Sequence, residues 1–288
     1  MIGIIGIVIT LVMVFGGYLA SGGSMKIILH SLPYEFAMIG GAAVGAMVLS
    51  NSIADVKHTI KDVGKVFKAP KWKDEDYRDL LCLLYALIRI ARANPIDIEA
   101  HIEAPDESTL FQQYPKILAD RTAVDLICDT IRAGTMNYDD PHQVEEVLEK
   151  RLEAIHHHAQ HSTHALQSMA DGLPALGIVA AVLGVIKTMS SIDQPPEVLG
   201  KLIGGALVGT FLGVFLAYSL VGPFASKVKT VVDLEHSFYV LIREVLVANL
   251  YQHAPDICVE VGRQNTPSSL RPTFSEISDA LQAVKAAA

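Results

Sequence analysis

The chain has 288 residues, 51% of them hydrophobic and 19% charged, with a formal net charge of −8. That apolar excess points to a membrane protein rather than an ordinary soluble domain, and the acid excess, with no basic patch interleaved with aromatics, argues against nucleic acid. Three scattered cysteines, Cys82, Cys128 and Cys258, give neither a metal spacing nor a disulfide framework and read as reduced cytoplasmic thiols.

Residues 2–20, IGIIGIVITLVMVFGGYLA, form an uncharged run long enough to span a bilayer. It reads as a span rather than a cleaved signal peptide, because no basic segment precedes it and its apolar part is too long. The link SGGSMKIILHSLP leads to a second run from Tyr34 to about Ser50, where Gly41 and Gly45 place small residues on one face. Beyond it, Ile53, Val56, Ile60, Val63 and Phe67 recur at three-and-four spacing, which predicts an amphipathic helix over 52–68 with lysines on the opposite face. DEDYRDLLCLLYALIRIARA is a second amphipathic helix, stopped at Asn94-Pro95 and followed by the short helix IDIEAHIEA. Turns fall at Pro105-Asp106-Glu107-Ser108 and Tyr114-Pro115, and AVDLICDTIRAG ends at Gly134 as a helix C-terminus would. From Pro141 the chain runs without a breaker towards a third apolar run, which predicts one long helix entering the membrane.

From Gly172 to Pro223 the sequence reads GLPALGIVAAVLGVIKTMSSI, a polar interruption DQPPEV, then LGKLIGGALVGTFLGVFLAYSLVGP. Each half, at roughly 1.5 Å per residue, matches the roughly 30 Å hydrocarbon core, so the segment is predicted to be a transmembrane hairpin. Gly205, Gly209 and Gly213 repeat every fourth residue on one helical face, which gains nothing from lipid but lets another helix approach. SKVKTVVDLEHSFYVLIREVLVANLYQHA continues as a helix, and the tail has turns at Pro255, Pro267 and Pro272. No strand pattern or internal repeat is visible. The expected architecture is an all-α membrane protein of four transmembrane helices with a large cytoplasmic helical domain. Its parts are spans one and two at 1–51, the cytoplasmic domain at 52–170, the spanning hairpin at 171–223, and a cytoplasmic helix and tail at 224–288. Lys57, Lys61, Lys65, Lys68, Lys71 and Lys73 follow the second run, and Lys227 and Lys229 follow the fourth. The opposite links carry only Lys26, Lys187 and Lys201, so the positive-inside rule puts both termini in the cytoplasm.

Charges inside a bilayer are costly and mark ion paths where they occur. Here the predicted spans hold none at their centres, with Glu35 and Asp171 at ends and Lys187 past the middle. The small-residue wall around the lone hydroxyl of Thr210 suits a carboxylate supplied by another chain. Each feature also has a plain reading. Pro174 and Pro223 can start and stop helices, Thr210 can bond a carbonyl one turn back, and Asp171 can cap a helix. His156, His157, His158, His161 and His164 suggest a metal site by spacing, but no carboxylate or cysteine completes it and a solvated helix face accounts for them better. Arg89, Arg92 and Glu99 around the Asn94-Pro95 turn suit either a solvated helix end or a docking surface of mixed sign. No nucleophile elbow, Walker loop, dinucleotide fingerprint or HExxH is present, so an enzyme is not expected and no cofactor is called for.

DGLPALGIVAAVLGVI at 171–186 and GGALVGTFLGVFLAYSLVGP at 204–223 closely resemble the last two spans of the flagellar motor stator A subunit, the MotA family. IEAPDES at 102–108, YPKILAD at 114–120, NLYQHAPDICVEVGR and SSLRPTF extend the resemblance over essentially the whole chain. It implies an ion-driven torque generator of the bacterial inner membrane, in which five A subunits surround two copies of a MotB-like B subunit that supplies the membrane aspartate. Pro174 and Pro223 match the two prolines tied to ion flow, Thr210 the hydroxyl facing the ion, and Asp171 the acid beside the first proline; Gly177 is counted with the same wall. Ala181 stands where sodium-type members carry threonine, which favours protons. Arg92 and Glu99, with Arg89 beside them, match the charges that meet the rotor protein FliG, although Asn94-Pro95 replaces the usual glycine-containing turn and shortens the spacing to Glu99 by one residue. The alternative within the wider superfamily is an ExbB- or TolQ-like envelope transducer, which the fourth span and long tail count against.

Overall fold

The computed structural model describes residues 2–68, 70–135 and 140–287, and every regular element among them is helical. The chain forms two compact units, Met1–Ala69 with Ala159–Val231, and Pro70–His158 with Val232–Ala288. Two helices, α9 (Pro141–Met189) and α11 (Gly222–Leu250), contribute residues to both.

The first unit holds α1 (Ile2–Ala20), α2 (Met25–Ser50), α3 (Ile53–Val63), the later part of α9, α10 (Pro196–Leu216) and the start of α11. Four helical segments are long and apolar enough to cross a membrane, lying at Gly3–Ala20, Met25–Ser50, within α9, and within the unbroken helical run Pro196–Leu250. Large apolar side chains stand exposed along them, among them Met13 at 70% and Leu207 at 64%. In water such exposure would be a liability; in hydrocarbon it is the expected outer surface.

Two boundaries differ from the sequence expectation. The second span does not begin at Tyr34, because α2 starts at Met25 and carries Pro33 in its interior, so most of the predicted link is helix. Proline is tolerated there because helix–helix packing in a membrane compensates the lost hydrogen bond. The helix predicted over 52–68 stops at Val63 and tightens into a 3₁₀ turn, Gly64–Phe67. Its faces also sort differently: Thr59 and Asp62 are buried, while Ile53 and Ile60 are exposed beside Lys57 and Lys61. The long helix α9 does form in one piece through Pro174.

The second unit is built around α4 (Asp74–Ala93), whose residues from Leu80 to Ile88 are all buried. A helix apolar around most of its circumference belongs at a centre, and α12 (Pro255–Asn265) and α13 (Phe274–Ala287) pack on it with α5 (Pro95–Glu103). The short α6 (Thr109–Gln112) and α7 (Pro115–Leu118) lead to α8 (Arg121–Thr135). Trp72 stacks on Phe238 at 3.8 Å between ring centres, with Lys71 4.7 Å above the indole. Buried Asp120 caps α8 by accepting from the Ala123 backbone N–H at 3.0 Å, and also accepts from the Tyr239 hydroxyl at 2.9 Å and from Lys71. Burial pushes the Tyr77 phenol up to about 12 and the Cys128 thiol up to about 12, so both stay neutral at physiological pH.

Candidate functional site

The α9–α10 hairpin of the first unit closes by backbone proximity along a line of glycines, with Leu173, Ala180 and Leu212 packed in a small apolar cluster. A Cβ on Gly213 would stand 2.7 Å from the Leu173 carbonyl oxygen and 2.8 Å from the Gly177 Cα, and one on Gly177 would stand 2.9 Å from the Gly209 carbonyl oxygen. Gly184 has the same relation to Ala206, whose Cα a new Cβ would meet at 2.9 Å. These distances leave no room for any side chain, so the contact is specific to glycine. Gly177 therefore lies in the helix–helix seam.

The other face of the α10 glycines receives α2. A Cβ on Gly205 would meet Ser31 Oγ at 2.9 Å, and one on Gly209 would meet Glu35 Oε2 at 2.6 Å. Glu35, expected at the end of a span, is instead the eleventh residue of a 26-residue helix. It is only 6% exposed, and its Oε2 finds no hydrogen-bond partner among the described residues. The spacing of the chain carries a signal for this burial: Glu35, Ile39, Ala43 and Met47 recur every fourth residue and are the buried residues of α2. Glu35 lines a cavity of about 560 Å³ together with His30, Ser31, Tyr34, Lys187 and Lys201. The first unit thus carries a buried carboxylate of its own beside the seam.

Pro174 and Pro223 neither start nor stop the helical runs. Pro174 lies in the interior of α9, where its missing N–H leaves the Ala170 carbonyl without the usual backbone donor. Pro223 follows a π-helical turn, Ala217–Val221, in which the Gly222 N–H reaches the Ala217 carbonyl five residues back. Insertions of this kind recur at functional sites and absorb a proline without ending a helix. The two sites are neighbours, since a Cβ on Gly222 would lie 4.0 Å from the Ala170 Cβ and 2.9 Å from the Ala217 carbonyl oxygen. Asp171 is exposed and caps nothing; it accepts from Gln167 Nε2 at 2.8 Å. Ala181, half-buried, lies two helical turns beyond Pro174 on the same face of α9. Thr210 is half-buried on α10. Thr10 and Thr188 each bond a carbonyl one turn back, at 2.9 Å, but the Thr210 hydroxyl makes no hydrogen bond among the described residues.

In the second unit the Asn94 side chain caps α5 through the Ile96 N–H at 3.1 Å, making a tight corner between α4 and α5. Arg92 is exposed at this corner and already engaged: Nε donates to Asn249 Oδ1 at 2.8 Å and Nη2 to the His253 carbonyl at 2.5 Å. It thereby satisfies carbonyl groups at the end of α11, just beside Gln252 at φ 63°. Glu99 is exposed on α5 and pairs with neither arginine. Arg89 packs over the Tyr85 ring at 5.8 Å, with Nη1 buried and without a hydrogen-bond partner among the described residues. Two members of the histidine group, His156 and His161, face different neighbours. The His156 ring stacks on His236 at 4.1 Å and faces Asp233 at 3.5 Å, whereas His161 faces Asp55 at 3.4 Å.

Four spans, a glycine-seamed hairpin, prolines within continuous helices and a large helical region define a polytopic membrane protein whose hairpin is shaped for protein rather than lipid. The family model "Motility protein A N-terminal" matches residues 4–95, and that of the MotA/TolQ/ExbB proton channel family matches residues 121–239. Motility protein A of Escherichia coli K12 is 36% identical over 283 residues, covering 98% of this chain and 95% of that protein. The fold is that of C. jejuni MotAB, with a TM-score of 0.74 at 19% identity over 94% of this chain and 98% of that one. The flagellar MotAB stator complex from Bacillus subtilis matches with a TM-score of 0.67 at 23% identity, over 89% and 92%. The chain belongs to the motility protein A family and is a flagellar motor stator subunit of the inner membrane.

Proposed function

We propose that this subunit, as a homo-oligomer of five copies around two copies of a MotB-like B subunit, conducts protons across the inner membrane and turns against the rotor protein FliG. Both termini lie in the cytoplasm in this reading, which the lysines after α2 and at 227 and 229 support. The observation that carries it is the Thr210 hydroxyl, half-buried and unbonded among the described residues on a helix whose other face is sealed by glycine. In a membrane such a group seeks a partner, and the B-subunit aspartate is a fitting one.

Protonation of that aspartate changes its fit against the wall of Pro174, Ala181 and Thr210, and release of the proton inside resets it. The neighbouring irregularities at Pro174 and the π turn give the helices two places to bend at each step. Glu35, at the cavity beside Gly209, adds a carboxylate on the approach to that wall. Arg92, Glu99 and Arg89 meet FliG charges at the α4–α5 corner. No chemistry beyond ion movement is assigned to the chain, and no cofactor is required.

The test is swimming speed of cells carrying this gene in place of their own, as external sodium and a protonophore are varied. Speed that ignores sodium and collapses with protonophore supports proton coupling, and sodium-dependent speed overturns it. Replacing Arg92 by glutamate then separates the two halves of the reading. Torque should fall while proton flow persists; joint loss with the complex intact would remove the corner from the torque interface.

A further inference from the structure

The helix α3 comes after the α2 span with only Asn51 and Ser52 between them, and its surface is sorted by charge in an unusual way. Ile53 is 74% exposed and Ile60, two turns on, 66% exposed. Lys57 and Lys61 stand between and beside them on the same exposed face, and Lys68 is exposed just past the 3₁₀ turn. None of the three lysine ammonium groups makes a hydrogen bond or ion pair among the described residues. The acids of the helix are turned the other way: Asp62 is buried and pairs with Lys65 at 3.2 Å, and Asp55 accepts from the Ser52 hydroxyl and faces His161. Thr59 is buried and bonds the Asp55 carbonyl at 2.7 Å.

A helix docked only on protein would turn Ile53 and Ile60 inward and leave Asp62 in water. Here two large aliphatic side chains and two uncommitted cations share one face, with a third cation just beyond the 3₁₀ turn, while both acids of the helix are removed from that face. A bilayer surface accepts that combination, with aliphatic groups sinking to the acyl boundary while lysines reach the headgroups. Basic residues clustered beside a span bind anionic lipid in this manner.

We propose that α3 is an interfacial lipid-binding helix, with Ile53 and Ile60 inserted at the acyl boundary and Lys57, Lys61 and Lys68 gathering anionic phospholipid headgroups. Two observations commit it to lipid rather than a protein occupant: direct continuity with a membrane span, and a purely positive free charge complementary to anionic headgroups. The leaflet concerned is the cytoplasmic one if the proposed orientation holds, but lipid binding itself depends on no ion flow.

The three native cysteines are free and at most 4% exposed, so a cysteine introduced at position 60 can be labelled selectively. The full chain, purified in the complex in which it is expressed, carries Ile60→Cys with an environment-sensitive fluorophore in vesicles of phosphatidylethanolamine and phosphatidylglycerol. Nitroxide-labelled lipid is present in both leaflets, so the readout is independent of orientation. Quenching by labelled phosphatidylglycerol should exceed quenching by labelled phosphatidylcholine by about twofold or more. Adding K57Q, K61Q and K68Q should bring the ratio to one while leaving quenching by the neutral lipid. Equal quenching by both lipids, or a ratio indifferent to the lysines, overturns the anionic preference. Quenching by aqueous iodide alone means the face is wet, and protection from both lipid and iodide means that protein covers it; either result overturns the proposal. Ile53→Cys serves as the second position should Ile60→Cys fail to assemble.

Discussion

The two units solve the same problem, burying helix faces, with opposite materials. In the second unit α4, with its own Tyr77, sits among leucines, isoleucines, Phe111 and Phe238, and buried Asp120 is held by three donors. In the first unit the seam is made of Gly177, Ala180, Gly184, Ala206, Gly209 and Gly213, and many of the large apolar side chains point outward. The difference follows from the solvent. Water drives large side chains inward, whereas hydrocarbon does not, leaving close backbone approach and its van der Waals contacts as the adhesive. A site built on the second kind of packing is sensitive to a single added carbon.

Gly213→Val should therefore have the largest effect of all. Its side chain meets the Leu173 carbonyl and Gly177 Cα, which belong to backbone and cannot rotate away. The expected outcome is loss of the assembled complex from membranes, read by detergent extraction and size-exclusion, with no motility. Wild-type assembly in that variant would break the comparison.

In the second unit Asp120→Ala removes the α8 cap and leaves the half-buried Tyr239 hydroxyl and the exposed Lys71 without their acceptor, and should cost about 1–3 kcal/mol. Leu84→Ala, by cavity formation at a fully buried position, should cost about 2–5 kcal/mol. Both are measurable as lowered thermal unfolding temperatures of the purified complex, and neither should alter proton flow per assembled complex. Thr210→Val sharpens the contrast from the other side. It removes no hydrogen bond to any described residue, so stability should shift by less than about 0.5 kcal/mol, while swimming speed should fall several-fold.

The smallest effect concerns pH. Burial pushes the His236 imidazole down to about 4, with His156 beside it adding to the shift. Because the folded pKa lies below the unfolded value, the unfolded chain binds the proton first as pH falls from about 6.5 towards 4. Stability should therefore be full above pH 6.5 and decline across that window. The half-buried ring, allowing for screening, sets the loss at about 1–2 kcal/mol. His236→Phe should flatten that part of the stability profile, and an unchanged profile would assign the loss to other groups.

Composition and periodicity determined much of this protein. Four apolar runs of sufficient length can be little else but spans, and the glycine repeat on α10 pointed to a helix contact. Asn94-Pro95 was a legible stop because proline constrains its predecessor and Asn caps the next helix. The roles of Pro174, Thr210, Ala181, Arg92 and Glu99 came from resemblance, since their residue types and spacings also admit plain structural readings.

Tertiary structure decided what local pattern leaves open. Glu35 became a buried group only once α2 was seen to start at Met25, because a proline at position 33 reads as a helix start in isolation and is tolerated only by packing. Pro223 became part of a continuous helix only through the π turn, which no periodicity encodes. Arg92 proved to be a cap for the end of α11, a segment 157 residues away from it in sequence at Asn249. On α3 the same residues satisfy the three-and-four spacing in either orientation, and the neighbouring helices chose to bury Thr59 and Asp62. Sequence sets which faces a helix possesses, and only its neighbours and its solvent decide which of them it hides.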